Sequence, residues 1–277
     1  SLTMAEGNTI FFNAGYNSRQ PYLDNIFNRN TGFITELVSP AVENENITSF
    51  EAGYRFKMNN FRANFNAYVT NWTDRTLSSF GQDDNGTPDD DTDDFDTTTL
   101  QRGITQYHSG AELDVRYRAT DWLSFKGFIS AGSWTYKGEA VVSTYNAETN
   151  EQIGETSTVN RDGIKVSTAP QFTAGMGFDA KIMSGLSIDA RIKYRDNHYE
   201  FTNENTSIED YTGAQLGSYA LTNAGITYRF SLGNSNKMTF RANMFNVFDK
   251  VAIQQTDRFG YFTTGGRTFN ASMRYEF

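Results

Sequence analysis

Arg267-Thr268-Phe269-Asn270-Ala271-Ser272-Met273-Arg274-Tyr275-Glu276-Phe277 closes the chain, and its alternation decides the fold. Phe269, Ala271, Met273, Tyr275 and Phe277 fall on one face of an extended segment; Asn270, Ser272, Arg274 and Glu276 fall on the other. A period of two is that of a β-strand. A wholly apolar face opposite a wholly polar one suits a strand with lipid on one side and water or protein on the other.

The same test applied outward finds about nine more strands. Their apolar rows are centred on Phe12, Ala52, Phe65, Leu113 and Gly127 in the first half, and on Met176, Ala190, Ile226 and Phe240 in the second. Charge falls on the opposite rows: thirteen basic residues (among them Arg62, Arg116, Lys126, Arg191 and Arg241) against six acidic ones (among them Glu112, Asp179 and Asp189). The chain has 24 basic and 33 acidic residues, so 11 basic and 27 acidic are left for the loops and ends. A basic inner wall and acidic loops are expected. Such a wall attracts an anionic solute, pairs with an acidic part of the same protein, or is a mixed-charge lining that hydrates itself.

Connections alternate between tight and long. Met58–Asn60, Ala119–Asp121, Ile182–Gly185 and Ser231–Ser235 are turn-rich, while segments near 18–45, 75–103, 138–167, 200–215 and 249–265 are long. Outer-membrane barrels segregate periplasmic turns from extracellular loops in this way. The expected fold is all-β, an antiparallel up-and-down transmembrane barrel with its C-terminus periplasmic and its acidic loops extracellular.

Bulk composition agrees. No apolar run of about 18 residues marks a spanning helix, and a mean hydropathy of -0.58 is compatible with barrel strands, whose apolar half is diluted by the polar half. A net charge of -9 argues against a nucleic-acid partner. The absence of cysteine removes disulfides, thiolate nucleophiles and cysteine metal sites.

Four stretches carry a family resemblance. They are Gly15-Tyr16-Asn17-Ser18-Arg19-Gln20-Pro21-Tyr22-Leu23, Ser49-Phe50-Glu51-Ala52-Gly53-Tyr54, and Ser109-Gly110-Ala111-Glu112-Leu113-Asp114 with Asp121-Trp122-Leu123-Ser124. The last is Asn246-Val247-Phe248-Asp249-Lys250 with Gly266-Arg267-Thr268-Phe269 and the terminal strand. In that order they resemble the C-terminal part of a TonB-dependent outer-membrane receptor. The resemblance implies that residues 1–277 are about ten C-terminal strands of a 22-strand barrel, with the plug domain and the TonB-contacting segment outside this chain. It further implies TonB-driven import of a siderophore-type or other scarce nutrient, outer-membrane lipid as surroundings, and Met273, Tyr275 and Phe277 as the signal read by the barrel-assembly machinery.

Three features invite other readings. The segment Asp83–Asp96 holds eight aspartates; Asp83, Asn85, Asp89 and Asp91 alternate as oxygen ligands of a structural calcium would, although no glutamate follows at the bidentate place, and a solvated acidic loop fits as well. No other cofactor is expected. A self-contained ten-stranded barrel would instead be a rim protease, a passive pore or an adhesin, yet His108 and His198 lie on distant strands without an aspartate at matching spacing, so no enzyme is expected. Trp72, Tyr107, Trp134, Tyr136 and Tyr199 at one end, with Trp122, Tyr228 and Tyr275 at the other, are expected as interfacial girdles or rim packing, with the upper ones facing inward to stack on a sugar or siderophore as the alternative.

Overall fold

The structure is a computed structural model. It describes residues 1–26, 41–89, 91–202, 206–233, 236–257 and 259–277. Much of the segment near 18–45, the end of the Ser231–Ser235 turn and Asp90 lie outside these residues.

Each of the ten expected strands is present. β1 (Leu2–Ala5) and β2 (Asn8–Arg19) are followed by β3 (Glu45–Lys57), β4 (Phe61–Asp83), β5 (Phe95–Arg118) and β6 (Leu123–Lys137). Next come β7 (Glu139–Asn146), β8 (Gln152–Asn160), β9 (Phe172–Met183) and β10 (Leu186–Asp196). The remainder are β11 (His198–Tyr199), β12 (Gln215–Leu216), β13 (Tyr219–Leu232), β14 (Asn236–Phe245), β15 (Ile253–Asp257), β16 (Gly260–Thr263) and β17 (Thr268–Glu276). The main sheet is antiparallel and runs β1-β2-β3-β4-β5-β6-β9-β10-β13-β14-β17, each strand beside its sequence neighbour apart from the excursions through β7–β8, β11–β12 and β15–β16.

Register keeps the two faces apart across the whole sheet. Phe65 lies opposite Tyr54 and Leu113, Leu113 opposite Ile129, and Ile129 opposite Ala174. Ile226 lies opposite Ile188 and Ala242, and Phe240 opposite Met273. A slip of one residue at any pair would turn a strand's apolar row onto the charged face. The apolar face is exposed, with Phe12, Phe50, Met176 and Phe269 each more than half accessible. That is the reverse of a water-soluble sheet, whose apolar face is its core.

Large side chains on the opposite face lie flat against the wall, and two glycines make room for them. A Cβ on Gly110 would stand 2.6 Å from the Tyr68 hydroxyl oxygen, and one on Gly225 would run into the guanidinium of Arg241.

The long connections at one end differ from expectation. Segment 75–103 is mostly strand: β4 and β5 stay paired out to Asp83 opposite Phe95. Segment 138–167 is a hairpin, β7–β8, laid along upper β5, with Leu100 opposite Ser143. Alternation missed these strands because they carry threonines where the lower wall carries apolar residues. Thr97, Thr98 and Thr99 are β-branched and suit a strand all the same. Leu100, Tyr145 and Val42 pack together above the wall, Leu100 with no exposed surface.

Candidate functional site

The charged face reads as levels, from the tight-turn end to the long-loop end. At the first level Lys57 lies opposite Arg62, Arg62 opposite Arg116, and Arg116 opposite Lys126. Lys126 and Arg191 both lie opposite Gly177, so the row continues onto β10. Asp179 is 2.9 Å from Lys126 and 3.9 Å from Arg191. Beside this level Arg241 grips Asp189 through one Nη at 2.7 and 2.9 Å, and donates to Thr227 and Asn243 at 2.8 and 2.7 Å. Arg241 of β14 is thus paired with a carboxylate of β10, whereas among the described residues Lys57, Arg62 and Arg116 at the first level have no ion pair.

Midway, the Ser130 hydroxyl donates to Glu112 at 3.2 Å. Above it the Trp134 indole donates to the Tyr68 hydroxyl at 3.0 Å, and His108 stacks on Trp134 with centroids 5.4 Å apart. Trp72 and Trp134 share parity with Tyr68 and Gly132, so they face inward; neither belongs to the girdle expected of them. Their polar N–H groups explain the choice, since both find acceptors on the charged face. Trp122, Tyr228 and Tyr275, at the tight-turn end, are exposed.

At the top, Glu45 is 1% exposed, accepts hydrogen bonds from Arg19 and Trp72, and is ion-paired with Arg75 as well. Arg19 Nε reaches it at 2.6 Å, Trp72 Nε1 at 3.2 Å and Arg75 Nε at 3.8 Å. Both guanidiniums lie over the Trp72 ring, at 4.7 and 4.2 Å, and Arg19 also lies over Tyr22. The segment leaving β2 is held further on by Asn25, which donates to the Thr76 carbonyl and accepts from Ser78. Sequence reasoning quoted Arg19 within a motif but missed Glu45 and Arg75. Nothing local signals that residues so far apart in the chain share one carboxylate.

The aspartate loop is organised by its own hydrogen bonds. Asp83 accepts from the Asn85 amide at 2.9 Å and Asp84 from that of Gly86 at 3.0 Å, while Asp93 accepts from Thr87 and Asn85 side chains at 2.7 and 3.1 Å. Those two bonds hold the Asp93 carboxyl below its ordinary pKa. Asp89 and Asp91 are exposed on either side of residue 90. Among the described residues no group of three histidines or carboxylates stands close enough to share an ion.

The two histidines are not brought together around a carboxylate. His108 meets Gln106 at 3.2 Å. His198 is 3% exposed, and burial holds its pKa below the usual imidazole value. At the end of the chain Met273, Tyr275 and Phe277 line the outer face of β17, and the rings of the last two are 6.0 Å apart.

Residues 2–247 match the family model described as TonB dependent receptor-like, beta-barrel. The chain belongs to the TonB-dependent receptor family. Solved structures agree on the fold of this receptor barrel. It superposes on the Fiu ferric-catecholate import receptor of Escherichia coli K12 with a TM-score of 0.64 at 14% identity, covering 98% of this chain and 33% of that one. It superposes on the copper transporter OprC at 0.61 and 14%, covering 98% and 37%, and on the Escherichia coli outer-membrane transporter YddB at 0.57 and 15%, covering 96% and 38%. No curated protein matches. The chain thus spans about a third of the length of these receptors, and the family to which it belongs is one of outer-membrane barrels.

Proposed function

We propose that these strands form part of the wall of a receptor that imports a scarce nutrient, such as a siderophore-type metal chelate, across the outer membrane with energy delivered through TonB. The two-faced sheet carries this reading: a continuous lipid-facing apolar surface backed by a charged wall with aromatic and arginine side chains at its loop end. Tight turns and the C-terminus are then periplasmic, and the β4–β5 and β7–β8 hairpins stand outside the cell, where their threonines and acidic tip meet solvent. Met273, Tyr275 and Phe277 present the apolar edge, aromatic at its last two positions, that the assembly machinery reads. The names of Fiu and OprC, an importer of ferric catecholate and a copper transporter, favour a metal-bearing ligand.

The test is uptake by cells that carry the full-length receptor, using a panel of iron-55-labelled ferric siderophores with haem and cobalamin beside them. Accumulation of one ligand should need both the receptor and TonB. Equal accumulation without TonB would make the barrel a passive pore and end the proposal.

A further inference from the structure

We propose that His198 is a proton-operated fastener: neutral, it closes the β11–β12 ladder over itself and ties together long connections at the loop end; protonated, it opens them. The device stands on the packing around the ring. It is independent of which solute the receptor imports and of whether TonB drives the import.

The ring is buried without the partners that a buried polar group normally finds. His198 is 3% exposed, yet neither Nδ1 nor Nε2 meets a partner at hydrogen-bonding geometry. A neutral imidazole carries one donor and one acceptor, and leaving both unpaired in the interior costs free energy. A charged ring left unpaired there costs more. His198 lies opposite Leu216 in a ladder of two residue pairs, of which Tyr199 with Gln215 is the second. Leu216, and Tyr219 three residues on, are buried as well.

The groups around the ring oppose its protonation. Burial is the largest influence and disfavours the charged form; the Ser167 backbone favours it, Arg195 disfavours it, and the balance lies with the neutral ring. Arg195, near the end of β10, donates to the Tyr219 hydroxyl at 3.1 Å. Asp196 is next along the chain, but its carboxylate is already taken: it accepts from the Tyr194 hydroxyl and the Asn197 amide at 2.8 Å, and from Gln215 at 3.2 Å. The segment of Ser167 adds Lys165, a second cation, and the chain beyond the ladder adds Tyr199, Glu200 and Tyr211. Among the described residues no carboxylate pairs with the ring.

The tethers beside the ladder define what it fastens. Asn197, with φ 50°, turns the chain off β10 in the left-handed region, and its carbonyl accepts from the Gln171 amide at 3.0 Å. Past the ladder the Glu200 amide donates to the Ala214 carbonyl at 2.9 Å. The Phe201 amide donates to the Thr256 hydroxyl of β15 at 2.6 Å, and the Ile208 amide to the Asn160 carbonyl at the end of β8 at 2.7 Å. Two residue pairs thus hold a connection that touches both the β7–β8 and the β15–β16 hairpins. In the closed ladder the His198 pKa lies below the ordinary imidazole value, so the open form binds the proton more readily. Closure is therefore complete above the ordinary imidazole range and is lost as pH falls below it, the open-to-closed ratio rising by up to about tenfold per pH unit.

Hydrogen exchange of the purified full-length receptor in detergent tests this, read by mass spectrometry between about pH 5 and about pH 8 and corrected for the intrinsic pH dependence of exchange. The amides of Gln171, Glu200 and Ile208 report on the ladder and its tethers; that of Arg229, bonded to the Gly185 carbonyl at the tight-turn end, is the reference. Protection of the first three is expected to fall by up to about tenfold per pH unit below the ordinary imidazole range, with Arg229 unchanged. In His198→Leu, which fills the site with an apolar side chain that does not titrate, protection should persist and the pH step vanish. In His108→Gln the step should remain. Flat protection across the pH range in the unsubstituted receptor overturns the proposal, as does the same step surviving in His198→Leu. The titration of the unsubstituted receptor decides alone should His198→Leu fold poorly.

Discussion

Placing an arginine at Ile226 tests the assignment of the faces most directly. The apolar row of β13 runs from Thr222 to Phe230, eight steps of about 3.4 Å, or roughly 27 Å along the strand. A tilt of 35–45° turns that into about 20 Å of height, close to the apolar band of an outer-membrane barrel. Ile226 stands four steps from either end, 42% exposed, between Ile188 and Ala242. It therefore sits near the bilayer midplane, where a lipid-facing arginine costs about 2–4 kcal/mol. That is a factor of roughly 30 to 1000 in the folding equilibrium, at about 1.4 kcal/mol per tenfold. Ser130→Arg is the counterpart on the other face, beside Glu112, and should change stability by less than about 1 kcal/mol. Urea titration of the full-length receptor folding into phospholipid vesicles, followed by tryptophan fluorescence, measures both. Equal penalties, or a larger one at Ser130, would refute the assignment of lipid and lumen.

Three further outcomes follow from the same geometry. Glu45→Gln removes the charge that holds Arg19 and Arg75, and should destabilise the loop-end wall by about 2–3 kcal/mol, below the usual cost of breaking a buried pair because Arg19 is partly exposed; hydrogen exchange should quicken in residues 20–26, and unchanged protection there would count against Glu45 holding that segment through Arg19. The Asp93 carboxyl is held below its ordinary pKa by Thr87 and Asn85, so its support of the turn is present above the ordinary carboxylate range and lost as pH falls below it; amide exchange at Asn85–Thr87 should rise only in that acid range, and in Asp93→Asn the pH step should vanish. Phe277→Ala should lower the yield of folded receptor from proteoliposomes carrying the assembly machinery several-fold while leaving spontaneous folding in detergent nearly unchanged, and equal losses in both would assign Phe277 to stability rather than recognition.

Much of the wall was legible because a barrel strand has one period and two unlike surroundings. Phe269 to Phe277 alternates because every second residue lies on the exposed apolar face of the sheet, and the same holds for Phe61 to Val69 and Leu186 to Tyr194. The tall β4–β5 hairpin was not legible, because above the membrane that contrast ends and threonine serves both faces. Candidate site residues fared according to whether their role is local. Asp83 and Asn85 do shape a turn, as neighbours in sequence can. For Trp72 and Trp134 local sequence leaves both faces open, and the inward one is selected because each indole finds an acceptor across the sheet.

The sequence by itself determined ten strands of the wall, the polarity of their faces and the membership of the receptor family, since these follow from periodicity and the order of motifs along the chain. Only the tertiary structure decided that Lys57, Arg62, Arg116, Lys126 and Arg191 form one row and that Arg19 and Arg75 share Glu45. Those neighbours are made by strand register, and register joins residues far apart in sequence through backbone hydrogen bonds that no local pattern encodes.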